Sequence, residues 1–162
     1  MQMLVKYLFD NIPELVSNPD DSGYDIRAAI DKPLKIEGYG KASIPTGIAV
    51  EIHNKNTFIG ANMPFHGTPT EYCPVTTELQ VRPRSGHTRQ GIVAQFGTID
   101  SSYRGEIFVN IFNQNPHEIE IQPLERIAQL VVCPIFKPAV VKVAKLSNTD
   151  RGSNGFGSTG KD

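Results

Sequence analysis

Nothing in this chain brings cysteines close enough to grip a metal, and nothing gives it a strong charge of one sign. Cys73 and Cys133 stand far apart and match no C-x-x-C pattern, which excludes a compact zinc site and reads as two reduced thiols in a reducing compartment. The formal net charge of −1 excludes the basic field that holds nucleic acid through its phosphates, so an anion can be bound only at a local cluster of donors. Apolar runs never approach the ~20 residues that cross a bilayer, so no membrane span is expected. The opening MQMLVKYLFD is too short and too soon charged for a secretory signal; it reads as a first strand, and the chain as cytoplasmic. Tryptophan is absent, and the histidines at 53, 66, 87 and 117 are scattered, so they read as structural or exposed.

What is present is turn punctuation. Twelve prolines and fourteen glycines are spread over 162 residues, a length that suits one domain with a real core. Between them the apolar residues alternate. Ile48, Val50 and Ile52 alternate with Ala49, Glu51 and His53, and Ile119 and Ile121 flank Glu120. Val141 and Val143 likewise flank Lys142. Period two is what a half-buried strand needs, because successive side chains face opposite ways. Ile107, Val109 and Ile111 alternate with Phe108, Asn110 and Phe112; both faces are bulky, so the strand is buried on both sides or turns one side to a subunit partner. The run 127–136 reads as a buried strand, since Val131, Val132 and Pro134 oppose a helix. The best short helix lies near 84–90. The expected fold class is all-β.

Two segments stand apart from this pattern. Residues 53–80, rich in Asn, Thr, Pro and Gly, read as a long loop or inserted hairpin within a single β domain spanning 1–150. The tail 151–162 is glycine-rich and holds no regular element by itself.

Three stretches carry candidate chemistry. In Arg82-Pro83-Arg84-Ser85-Gly86, backbone N–H groups after a strand, a hydroxyl and a guanidinium can converge on an anion, although the same residues also make an ordinary surface turn. In 97–106 (GTIDSSYRGE), a strand end presents Asp100, then a turn, then Tyr103 before a second strand, a β-hairpin able to line a pocket. A carboxylate of reference pKa ~3.9 is ionised at neutral pH and can serve as a general base toward water. Asp25 can approach a hydrated Mg²⁺, pair with Arg27, or cap a turn.

Together and in this order the stretches resemble the trimeric dUTPase family. The likeness rests on SGYDIRAA (22–29), RPRSGHTRQGI (82–92), GTIDSSYRGE (97–106), ERIAQLVV (125–132) and RGSNGFGSTG (151–160). The resemblance implies a jelly-roll-like subunit (β-clip), a homotrimer with shared active sites, and Mg²⁺-dependent hydrolysis of dUTP to dUMP and pyrophosphate, which keeps uracil out of DNA and supplies dUMP for thymidylate synthesis. It implies that Asp100 activates the attacking water and that Tyr103 packs under the deoxyribose and rejects a 2′-hydroxyl. Uracil would meet main-chain groups at Thr98, Ile99 and Phe108. Phosphates would meet Arg84, Ser85 and Gly86, with Gln129 nearby and Asp25 reaching the Mg²⁺ through water. The tail would close as a lid, Arg151 on the γ-phosphate, Phe156 on uracil, and Gly157, Ser158 and Thr159 on phosphates.

The chain departs from the family in three places. Only Val93-Ala94-Gln95-Phe96 separate Ile92 from Gly97, where many relatives carry an asparagine against uracil; Gln95 is the nearest amide. Residues 87–90 read HTRQ where Leu and a Lys-containing stretch are more usual. The segment 53–80 looks like an insertion, which fits an arm for a protein partner, an extra oligomer contact or neutral decoration. A dUTP-binding regulator acting through that insertion is therefore a second reading. A dCTP deaminase is a third, opposed by Asn110 standing where that enzyme needs a glutamate.

Overall fold

The computed structural model describes residues 2–53, 75–150 and 152–153. The chain order is β1 (Gln2–Tyr7), β2 (Tyr24–Arg27), β3 (Leu34–Ile36), β4 (Lys41–Pro45), β5 (Ile48–His53), β6 (Val75–Arg82), α1 (Ser85–Arg89), β7 (Ile92–Ala94), β8 (Gly97–Asp100), β9 (Phe108–Asn113), β10 (Ile119–Ile121) and β11 (Arg126–Phe136). Every pairing is antiparallel. The sheets are β1-β5, β3-β10, β2-β11-β6-β8 and β4-β9-β7. Most neighbours are distant in sequence, so the chain winds back and forth between sheets in the manner of a jelly roll.

Alternation decides which face each strand buries. On β9, Val109 and Ile111 are fully buried while Phe108 and Phe112 remain 49% and 42% exposed. Of the two expectations for this strand, burial on both sides within the chain is excluded, and one aromatic face is left outward. Ile26, Ile44, Ile48, Ile111, Ile121, Ile127 and Leu130, drawn from all four sheets, meet in one core. Each such side chain contributes roughly 1.5–3 kcal/mol when fully buried, which is what holds the small sheets together.

β11 is the spine. Its register against β2 shifts between Arg126 and Ala128, so Ile127 is an extra residue. Ile127 and Ala128 are both buried in consequence, and the near-continuous apolar run seen in the sequence is partly this bulge. Beyond it Gln129 stands opposite Asp25 on one side and Arg82 on the other.

Three expectations are corrected. Residues 75–80 belong to β6, because they pair with β11 from Val131 to Phe136, so the loop reading of 53–80 fails at that end; 54–74 lie outside the described residues. Val141 and Val143 form no strand: they are 74% and 56% exposed and pair with no strand among the described residues. The hairpin expected from 97–106 does not form, since β8 pairs with β6 whereas the next strand, β9, pairs with β4 and β7.

Candidate active site

The turn after β8 is built by its own backbone. Tyr103 N–H donates to the Asp100 carbonyl at 2.9 Å, closing four residues on themselves. Arg104 then braces the turn from outside, donating through Nη1 to the carbonyls of Ser101 (2.9 Å) and Tyr103 (2.8 Å) and pairing through Nη2 with Glu51 at 3.1 Å. The Tyr103 hydroxyl donates to the Glu106 carbonyl at 3.1 Å, and the Glu106 carboxylate accepts from Gly47 N–H at 2.8 Å. Glycine suits both positions that this packing crowds. Gly47 has φ +69, and a Cβ at Gly105 would come within 2.6 Å of the Tyr103 ring.

This scaffold frames a cavity of about 270 Å³ lined by Thr98, Ile99, Asp100, Tyr103, Glu106, Ile107 and Phe108. Its walls mix an exposed carboxylate, an aromatic ring and main chain. The Asp100 side chain enters no ion pair or hydrogen bond among the described residues, so its oxygens are free to orient a water. A larger depression of about 460 Å³ beside β1 holds none of the candidate residues.

A second cluster forms where α1 meets β2 and β11. Pro83 and the extended Arg84 (φ −91, ψ 136) stop the strand, and Ser85 opens a five-residue helix whose first turn closes when Thr88 N–H donates to the Arg84 carbonyl at 3.0 Å. Gly91, at φ +72, ends it. Arg84 Nε donates to Asp25 Oδ1 at 2.8 Å, and Arg126 Nη1 donates to Asp25 Oδ2 at 3.2 Å. Asp25 thus faces two guanidiniums and not Arg27, whose Nη1 bonds the Leu124 carbonyl at 2.8 Å. Ser85 and Gly86 are exposed, and nothing lies within 4 Å of where a Gly86 Cβ would point.

The two clusters do not meet within one chain. Asp25 sits on β2 at one edge of the sheet and Asp100 on β8 at the other, with β11 and β6 between. Asp25 aligns through Gln129 with Arg82, whereas Asp100 aligns with Glu78. Three strand spacings across and four residues along put the two carboxylates on the order of 20 Å apart. Gln95 lies on neither side: it is exposed between β7 and β8, does not line the cavity, and its N–H bonds the Asn110 carbonyl at 2.7 Å. Arg151, Phe156, Gly157, Ser158 and Thr159 lie outside the described residues. Arg126, Arg104 and Glu106 were not singled out from sequence, although each lies inside a quoted motif, ERIAQLVV or GTIDSSYRGE.

Among the described residues no three His, Cys, Asp or Glu side chains gather to hold a metal. Likewise no helix among them is long and apolar enough to cross a membrane.

Comparison with known proteins agrees with this fold. The dUTPase family model matches residues 69–160. The chain is similar to the deoxyuridine 5'-triphosphate nucleotidohydrolase of Chlamydia pneumoniae, 40% identical over 153 residues that cover 92% of this chain and 90% of that one. Its likeness to the enzyme of the same name from Aquifex aeolicus is 42% over 147 residues, covering 89% and 84%. Among solved structures, the Staphylococcus bacteriophage 80alpha dUTPase with dUPNHPP shares the fold at a TM-score of 0.77 and 27% identity, covering 98% of both chains. A phage phi11 dUTPase described with a structural Mg(II) ion shares the fold alone, at a TM-score of 0.71 and 22% identity.

Proposed function

This chain belongs to the dUTPase family, and from that premise we propose that it hydrolyses dUTP to dUMP and pyrophosphate. The observation that carries the reading is the exposed Asp100 carboxylate at the rim of the Thr98–Phe108 cavity, beside the Tyr103 ring. In this reading Thr98, Ile99 and Phe108 offer main-chain groups to uracil, and the ring of Tyr103 closes the space a 2′-hydroxyl would need. Asp100 holds a water in line with the α-phosphorus and takes its proton as the oxygen–phosphorus bond forms; pyrophosphate leaves.

A triphosphate carries about four negative charges, which must be balanced before water can attack. Arg84, Ser85 and Gly86 at the start of α1 are the donors proposed for them, with Gln129 beside and Arg151, Phe156, Gly157, Ser158 and Thr159 as a closing lid. The roughly 20 Å between the Asp25 cluster and Asp100 exceeds what one triphosphate spans, so the proposed site joins the Asp100 cavity of one chain to the α1 end of another. A homotrimer supplies such a partner, and the outward Phe108–Phe112 face of β9 gives it apolar surface to bury.

Mg²⁺ fits the donors in one way. Both Asp25 oxygens already accept from arginines, so a direct bond is disfavoured; Oδ2 accepts from Arg126 Nη1 and from Arg84 Nη2, whereas Oδ1 accepts from Arg84 Nε alone and retains a lone pair for a metal-bound water. Asp25 would hold the ion in this outer fashion, with substrate phosphates as its main ligands, and the ion when bound supplies charge neutralisation. A nucleotide panel with Mg²⁺ tests the function: pyrophosphate release from dUTP far above that from dCTP, UTP and dTTP is expected, and equal release from UTP would overturn it.

A further inference from the structure

α1 is too short to hold itself in place. Five residues make fewer than two turns, and an isolated helix of that length does not persist in water. Two contacts tie its first half to the start of β11. Just before the helix Arg84 donates through Nη1 to the Arg126 carbonyl (3.2 Å) as well as to Asp25. From the middle of the helix, His87 Nε2 meets Glu125 Oε1 at 2.9 Å. Ser85 and Gly86 are the two residues between these ties.

Glu125 is itself an anchored partner. Its other oxygen accepts from Gln122 N–H at 2.7 Å, its N–H donates to the Gln122 carbonyl at 3.1 Å, and its own carbonyl accepts from Ala28 at 2.9 Å. The preceding Leu124 takes the left-handed conformation, φ 60, that turns the chain into β11. The His87 side chain is 11% exposed, and its Nδ1 is buried with no partner among the described residues. A buried nitrogen without a partner is a cost, so a leucine here would pack more cheaply. The ring is held by the single bond to Glu125.

We propose that His87 is a positioning residue: its bond to Glu125 fixes α1 so that the Ser85 and Gly86 N–H groups face the phosphates of the substrate. The substrate half of this statement rests on the proposed hydrolysis of dUTP; the clamp does not. The ring touches no reacting atom, so its loss acts on binding and leaves the chemical step alone.

The test uses the full chain with His87→Leu, which fills similar volume without a donor, and His87→Gln, which returns one N–H at similar reach. The Thr88 amide, bonded to the Arg84 carbonyl, reports opening of α1 by hydrogen exchange. In His87→Leu, Thr88 exchange quickens about tenfold and KM for dUTP rises about fivefold or more with kcat within about twofold; His87→Gln returns both toward the parent. Unchanged Thr88 exchange in His87→Leu, or a glutamine variant as impaired as the leucine one, overturns the clamp. A parent protein inert toward dUTP would sink the substrate reading, while the exchange rates still decide the clamp.

Discussion

Asp25 and Arg84, 59 positions apart, are joined at 2.8 Å between Oδ1 and Nε, each about a quarter exposed. The pair brings the end of β6 to β2 across the intervening β11 and aims the start of α1 outward. Removing the negative charge with Asp25→Asn leaves Arg84 and Arg126 facing each other uncompensated. Stability should fall by about 1.5–3 kcal/mol, the range for hydrogen bonds to charged groups, and KM for dUTP should rise. Denaturant titration alongside steady-state kinetics checks both; parent values of each would mean the Arg126 carbonyl alone holds Arg84.

Gly86 sits in a helix with open space around its missing Cβ. Gly86→Ala should therefore stabilise α1 by roughly 0.5–1 kcal/mol while raising KM, because the methyl stands where a phosphate approaches. The opposite signs distinguish a binding glycine from a structural one. A more stable protein with unchanged KM would remove Gly86 from the phosphate site.

At Gly105 the crowding is against a side chain. A Cβ there would come within 2.6 Å of Tyr103 Cζ, and the ring is free to swing away, being 48% exposed. Gly105→Ala is expected to leave the fold intact and to narrow the preference for dUTP over UTP, as Tyr103→Ala should more fully. Competition kinetics with the two nucleotides measures it. Preserved selectivity in both variants would mean the sugar is read elsewhere.

Asp100→Asn keeps the shape of the turn and removes the base. A drop in kcat of about 10²–10⁴, with calorimetric affinity for a non-hydrolysable dUTP analogue nearly unchanged, is the expected result. Turnover within a few fold of the parent would take the base away from position 100.

Much of this fold could be read from alternation alone. Val109–Ile111 and Ile119–Ile121 turn one face inward as period two requires, and Ile48–Ile52 does so too, although the small Ala49 between them is buried as well. Val141 and Val143 misled because alternation records a half-apolar ribbon and not the partner that covers it. The stretch 97–106 misled for another reason. Two strands joined by a tight turn suggest a hairpin, but β8 finds β6 and β9 finds β4 and β7, choices set by long-range pairing. Asp100, Tyr103 and Phe108 were legible through the dUTPase resemblance and do share a cavity. Arg126 and Glu125, which hold Asp25 and His87, were not, because only the β11 bulge and the register against β2 bring them there.

The account stands on water attacking the first phosphorus from the Asp100 side. Hydrolysis of dUTP in ¹⁸O-enriched water, with both products weighed by mass spectrometry, tests this directly. The label is predicted in the phosphate of dUMP, with unlabelled pyrophosphate; label in pyrophosphate and none in dUMP would contradict it.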